Sequence, residues 1–350
     1  MILRRTLLSM VLGAAVGGAA VFQPLSTVSA ETADVKRIDI SVRPIDSFEI
    51  GSDATRFGAL EFVGGLEMTA SSRDFGGLSS FRFLAPGTDF IGVSDAGSWV
   101  FGTIMRDTGG KPSGVDDFRM QRMFDRAGSL SGGKRAGDAE GLAVKDGVAT
   151  VSFEREHRVA QFRIEPDGMK PAFKELDFLI PKRELRQNKG FETVVHTHPG
   201  GQNAGGLVVI SEGSLDKHGN VFAAVIEGPN RGIFTVKREG EFGITDGAFL
   251  PDGDLLLLER SYSFAAGVKM RLRRIDGEQI AKGALADGPV LMQADMQNQI
   301  DNMEGLDVWV RDDGALMVSL VSDDNFSLFQ RNLYLEFVLH DDVQPQATSN

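Results

Sequence analysis

Acidic side chains recur in this chain where short apolar runs begin and end. Glu140 and Glu154 bracket one pair of runs, Glu192 and Glu212 a second, Asp246 and Glu259 a third, and Glu304 and Asp323 a fourth, while Asp95 closes a fifth. In an antiparallel hairpin, the residue entering the first strand and the residue leaving the second lie at the same end. If these hairpins stand around one axis, about nine carboxylates meet in a single mouth. Like charges at close range repel and raise one another's pKa, so such a mouth calls for cations. Ca2+ is the natural one, because it accepts many carboxylate, amide and carbonyl oxygens.

The candidate metal ligands are therefore Asp95, Glu140, Glu154, Glu192, Glu212, Glu259, Glu304 and Asp323, with Asn188, Asn302 and Asn325 close by as neutral oxygen donors. Glu140, Glu192 and Glu304 are the candidates for catalysis. Arg155, Arg158 and Arg260 adjoin the acids, and their guanidinium forks suit a phosphate or carboxylate group on a substrate. A plainer role for each acid is to end a strand or pair with a neighbouring arginine, as Glu154-Arg155 and Glu259-Arg260 invite. Recurrence at the same hairpin end in every repeat is what favours a shared face. His196 and His198 adjoin Pro199-Gly200-Gly201 and read as loop residues. With only five histidines and no cysteine, zinc is disfavoured.

The elements that position these residues follow from a repeat. Segments starting near residues 77, 141, 191, 247 and 305 share one pattern of a small or acidic residue, an apolar run, a turn and a second apolar run ending in an acid. Lys145-Asp146-Gly147, Pro251-Asp252-Gly253 and Asp312-Asp313-Gly314 supply hairpin turns between apolar runs. Glycine, at 42 of 350 residues, is spread over many separate turns, which favours short strands over long helices. Four strands per repeat is a β-propeller blade. The expectation is an all-β propeller of five to six four-stranded blades, with a strand from 38–42 or 48–50 completing the last blade and residues 57–63 and 66–70 belonging to a further one. A β-sandwich or two stacked β domains is the competing architecture, but sandwiches do not repeat internally at this period.

Residues 1–30 read as an export signal: Arg4-Arg5, an uncharged Ala- and Gly-rich stretch, then Val28-Ser29-Ala30 as a cleavage pattern. The leader is either of the twin-arginine or of the Sec type. Its removal leaves 35 basic against 49 acidic side chains, a charge of −14. That balance argues against nucleic acid as a partner, and no later stretch is long and apolar enough to span a membrane. The expectation is a periplasmic or secreted monomer with one domain over 31–342 and a disordered tail at 343–350.

These stretches together resemble the phytase-like family, described as "esterase-like activity of phytase". The resemblance is carried by Gly76-Gly77-Leu78-Ser79 with Ser94-Asp95, Asp138-Ala139-Glu140-Gly141-Leu142 with Ser152-Phe153-Glu154, and Gly190-Phe191-Glu192. It continues in Leu256-Leu257-Leu258-Glu259-Arg260 and in Asp301-Asn302-Met303-Glu304-Gly305 with Ser322-Asp323-Asp324-Asn325-Phe326. It implies a propeller-like domain in exported bacterial proteins, with repeated acids carrying phosphoester hydrolysis. The expected function is Ca2+-dependent hydrolysis of a small anionic or phosphorylated substrate. The alternative is a non-catalytic propeller that binds Ca2+ or another ligand at the same face. A serine carboxylesterase is weaker, since the chain lacks a Gly-x-Ser-x-Gly elbow.

Overall fold

Five sheets, antiparallel but for one short parallel pairing at the outer edge of the third, surround one axis in this computed structural model, which describes residues 34–130 and 137–340. The expected leader at 1–30 and tail at 343–350 lie outside the described residues. The first blade runs outward through Leu78–Phe83, Asp89–Ser94, Ser98–Arg106 and Pro112–Arg122, and the second through Ala139–Lys145, Val148–Phe153, Arg158–Arg163 and Lys174–Leu176. The third comprises Phe191–His196, Leu207–Leu215, Val221–Glu227 and Gly232–Val236, and the fourth Gly243–Phe249, Leu255–Ser263, Gly267–Ile275 and Val290–Ala294. In the fifth, Asn302–Val310, Leu316–Asp323 and Asn332–Leu339 are followed by the N-terminal strand Leu60–Ala70, with Ile40–Ile45 outside it. The five inner strands pack on one another in sequence, and the last packs on the first.

Turn chemistry sets the hairpins. Asp146 and Gly147 both take positive φ, +50° and +72°, as a two-residue turn matched to strand twist requires. Middle strands such as Leu255-Leu256-Leu257-Leu258 are buried on both faces, because each blade is covered by a neighbour on either side. The hydrophobic core accordingly falls into five clusters, one between each pair of adjacent blades. Trp99 and Phe162, for example, meet edge-on at 5.0 Å between the first and second blades.

Two expectations about closure are corrected. The N-terminal segment adds no sixth blade. Residues 57–63 and 66–70 read as separate elements because Gly64-Gly65 interrupts them, yet Leu60–Ala70 is one continuous strand paired with Asn332–Leu339. Glycine is required there, since a Cβ at residue 65 would lie 2.7 Å from the Tyr334 carbonyl oxygen. The strand at Ile40–Ile45 joins the same blade one place further out, and Phe48 is a core residue between the fourth and fifth blades.

Candidate functional site

Every inner strand carries a β-bulge at the same level. The pairing register slips at Ser79 in the first blade, Glu192 in the third, Thr245 in the fourth and Glu304 in the fifth. In the second blade Glu140 and Gly141 together face Ser152. A bulge re-aims the side chain it carries, and here it presents three glutamates at one end of the axis. The second strand of each blade sets its own residue two positions below that level in the pairing: Asp95, Glu154, Glu212, Arg260 and Asp323. Gly141 has to be glycine: a Cβ would come within 2.5 Å of the Glu192 carbonyl oxygen on the neighbouring inner strand.

The electrostatics identify a single site. Burial, then the charges of Asp138, Glu154, Glu304 and Asp95, push the Glu140 carboxyl well above its ordinary value. Burial and the charges of Glu140, Glu304, Glu212 and Glu154 do the same to Glu192. Burial raises Glu154 to about 7, although the Gly190 N–H donates to its Oε1 at 3.1 Å. Burial carries Glu304 to about 7 against the pull of Arg260 and an Asn302 Nδ2 hydrogen bond of 2.7 Å. Asp323 reaches about 8, again chiefly through burial, with Glu304, Asp95 and Asp324 adding to it. Acids from four blades thus feel one another's fields, as the hairpin argument expects.

Oxygen atoms of Asp138, Glu140 and Glu154 all lie within 4.8 Å of one another. Three hard anionic donors at that spacing fit a divalent cation such as Ca2+ or Mg2+. Asp138 enters this group unannounced by the strand-end rule. It precedes the inner strand and also accepts from Arg155 Nε at 2.9 Å.

Arg260 occupies the fourth blade's place in the ring, where the other blades set an acid. Burial acts to lower its pKa, but Glu304, Glu212, Glu192 and Asp323 outweigh burial and hold the guanidinium charged. Its Nη2 lies 3.1 Å from Glu304 Oε1, while its buried Nε has no hydrogen-bond partner.

Several expected residues take other places. Glu259 is absent from the mouth: it sits one residue before the ring position and pairs with Ile244 in the ladder. A one-residue step in a strand turns a side chain to the opposite face, and Glu259 is locked by Arg271 and by Arg273, whose Nη2 lies 2.6 Å from Oε1. Asp246 follows the bulge rather than filling it, and lies deeper on the axis. Arg158 also leaves the mouth. Its guanidinium lies 3.7 Å from the Phe153 ring centroid, among the charges of Glu175, Glu156, Arg126 and Asp125. Arg155 stays at the rim through Asp138, beside an opening of about 440 Å³ lined by Arg155, Glu156, Gln187 and Asn188. Glu212 bonds Lys189 Nζ at 3.1 Å at the third blade's rim.

The sequence reading missed Arg82. This first-blade residue donates to both Asp246 oxygens, at 2.7 and 2.8 Å, to the Leu306 carbonyl at 2.7 Å and to the Gly247 carbonyl at 3.2 Å. It therefore reaches the fourth and fifth blades and closes the axis beneath the acids. Its one sequence signal is a charge inside the run Ser80-Phe81-Arg82-Phe83, where an inner strand should be apolar.

Comparison with known proteins gives a family. The phytase-like model, described as esterase-like activity of phytase, matches residues 73–326. No curated protein matches significantly. Among solved structures, an endo-arabinase from Bacteroides thetaiotaomicron is 10% identical, with 85% of this chain and 99% of that one covered and a TM-score of 0.45. A PQQ-bound aldose sugar dehydrogenase from Streptomyces coelicolor is 12% identical, with 85% and 98% covered and a TM-score of 0.38. None of these likenesses bears on the chemistry of the mouth. With its bladed core matched over well more than half of the sequence, the chain belongs to the phytase-like family.

Proposed function

We propose that the mouth is the active site of a metal-dependent phosphoester hydrolase, with Ca2+ as its ion. The observation that carries this reading is the convergence of Asp95, Glu140, Glu154, Glu192, Glu212, Glu304 and Asp323 around the Arg260 guanidinium, with Arg155 and Lys189 pairing acids at the rim. Asp138, Glu140 and Glu154 would hold the ion, which supplies positive charge against a polarised phosphoryl oxygen. Without such charge, a protein of −14 after leader removal repels an anionic substrate.

The chain's own groups account for the rest. Arg260, whose side chain is partly exposed beside Glu304, offers its guanidinium to a substrate anion from the opposite side of the ring. Glu304, balanced near neutrality, can hold a proton at its carboxyl and release it to a leaving oxygen. Glu192, held protonated by burial and its neighbours, donates a hydrogen bond to substrate rather than adding a further negative charge. Export to the periplasm or medium belongs to the same proposal and rests on residues 1–30.

The test is a panel of phosphomonoesters and phosphodiesters with and without Ca2+. Turnover is expected to require the ion and to fall about a hundredfold or more in Glu140→Gln and in Glu304→Gln, without loss of fold. Arg260→Ala is expected to raise KM more than it lowers kcat. Ca2+-dependent stabilisation with no turnover on any ester would replace this reading with the binding propeller.

A further inference from the structure

We propose that Arg158 forms an anion site outside the mouth, between the first and second blades, that takes a small organic monocarboxylate. Four arginines among the described residues are almost fully buried, and Arg82, Arg271 and Arg273 each hold a carboxylate. Arg158, only 5% exposed, forms no hydrogen bond or ion pair with any described residue, and its Nε is cut off from solvent. The ring of Phe153, its neighbour across the ladder, lies 3.7 Å from the guanidinium. A ring face offsets only part of the cost of taking a guanidinium out of water.

The nearby acids do not supply the rest. Burial lowers the pKa of Arg158, and the charges of Glu175, Glu156 and Asp125 do not restore it. Two of these acids are engaged elsewhere. Arg126 Nη2 donates to Glu175 Oε2 at 2.8 Å, and the N–H groups of Ala127 and Ser129 donate to Asp125 Oδ1 at 2.8 and 3.0 Å. Glu156 is exposed on the turn before Arg158.

The fold leaves this charge an opening. Arg158 shares a strand face with Ala160 and Phe162, which pack towards the first blade. An opening of about 250 Å³ lies there, lined by Arg158, by Asp125 and Arg126 where the chain leaves the first blade, and by 171–175 where it enters the second blade's outer strand.

Charge and lining select the ligand. Arg126 is balanced by Glu175, and Lys174 by Glu227 at 3.2 Å, so Arg158 is the cation left to match, and one negative charge matches it. A dianion would add repulsion from Asp125, Glu156 and Glu175. A carboxylate meets a guanidinium fork through two parallel hydrogen bonds. Pro171, Ala172 and the half-exposed Phe173 offer an apolar side to a short carbon chain.

The test is calorimetric titration of the protein with sodium butyrate in chelator near pH 8, where inorganic phosphate is chiefly a dianion. Wild type is expected to bind butyrate saturably and phosphate more weakly. Arg158→Met is expected to weaken butyrate by about tenfold or more. Without anion it is expected to melt no lower than wild type, since a buried charge lacking a partner is removed. Phe173→Ser is expected to weaken butyrate while leaving formate unchanged. Arg260→Ala, in the mouth, is expected to bind butyrate like wild type, so this inference and the hydrolase reading fail separately. Absence of binding, binding that survives Arg158→Met or is lost in Arg260→Ala, or phosphate outcompeting butyrate at Arg158 overturns the inference. So does equal weakening of formate in Phe173→Ser. A clearly lower melting temperature for Arg158→Met without anion overturns it too, since the ring and solvent would then satisfy the guanidinium in place.

Discussion

Arg82→Ala is expected to lower the unfolding free energy by about 3–5 kcal/mol, the usual cost of removing one partner from a buried ion pair. The Asp246 carboxylate, with no exposed surface, would keep only Ser80 Oγ at 3.1 Å and the Leu306 and Gly247 N–H groups at 2.9 and 2.8 Å. The carbonyls of Phe81, Leu306 and Gly247 would lose a donor at the same time. Because those carbonyls come from three blades, the loss is felt by the ring as a whole rather than by one hairpin. Replacing both charges, with Arg82→Met and Asp246→Leu, is expected to restore part of the stability, since Asp246 is then no longer a buried charge without its partner, while Asp307 still loses the field of Arg82. Urea unfolding of the three proteins measures this. An Arg82→Ala variant within about 1 kcal/mol of wild type would show that the axis does not depend on the pair.

The second large effect is a dependence of stability on pH that Ca2+ partly offsets. Glu154 and Glu304 titrate near 7 and Asp323 near 8 in the folded protein, all above their ordinary values. The folded chain therefore holds protons that the unfolded chain has lost. For these groups stability is fully present below about pH 4 and declines as pH rises through 7 and 8, by about 1.4 kcal/mol per pH unit for each retained proton. In chelator, the melting temperature is expected to fall between pH 5 and 8. With Ca2+ in hundredfold excess over its Kd, the ion adds about 2.7 kcal/mol at the high end, where the acids are ionised. Equal melting at pH 5 and 8 in chelator would mean that the acids do not burden one another.

Much of this was legible in the sequence, and the failures have a common cause. The repeat period, the Asp-Gly turns and the acids at hairpin ends led to a propeller of five to six blades and to Glu140, Glu192, Glu304, Glu154, Glu212, Asp95 and Asp323 at one end of the axis. Taking the acids that bracket each hairpin as its end positions then misplaced the fourth blade. Its bulge residue is Thr245 and its ring residue Arg260, so Asp246 and Glu259 each fall one step from the mouth. Bulges are invisible to a period-two pattern, yet here they are what aims the glutamates. Comparing blades offers a signal: Ser94, Ser211 and Ser322 each precede the ring acid, and Glu259 stands in their place before Arg260. Arg82 was hidden for a different reason. Its partner Asp246 is 164 residues away, and only ring closure brings them together.

The account stands or falls on whether the gathered acids bind a cation together. Titration calorimetry with Ca2+ near pH 7, run in two buffers of different ionisation enthalpy, measures binding and proton release at once. The prediction is saturable binding that expels about one proton or more per ion, because carboxyls held protonated by their neighbours must ionise to ligate. The release should shrink by pH 9, and Glu140→Gln should abolish binding while keeping the fold. Absence of binding, or binding that releases no proton and survives Glu140→Gln, would contradict it.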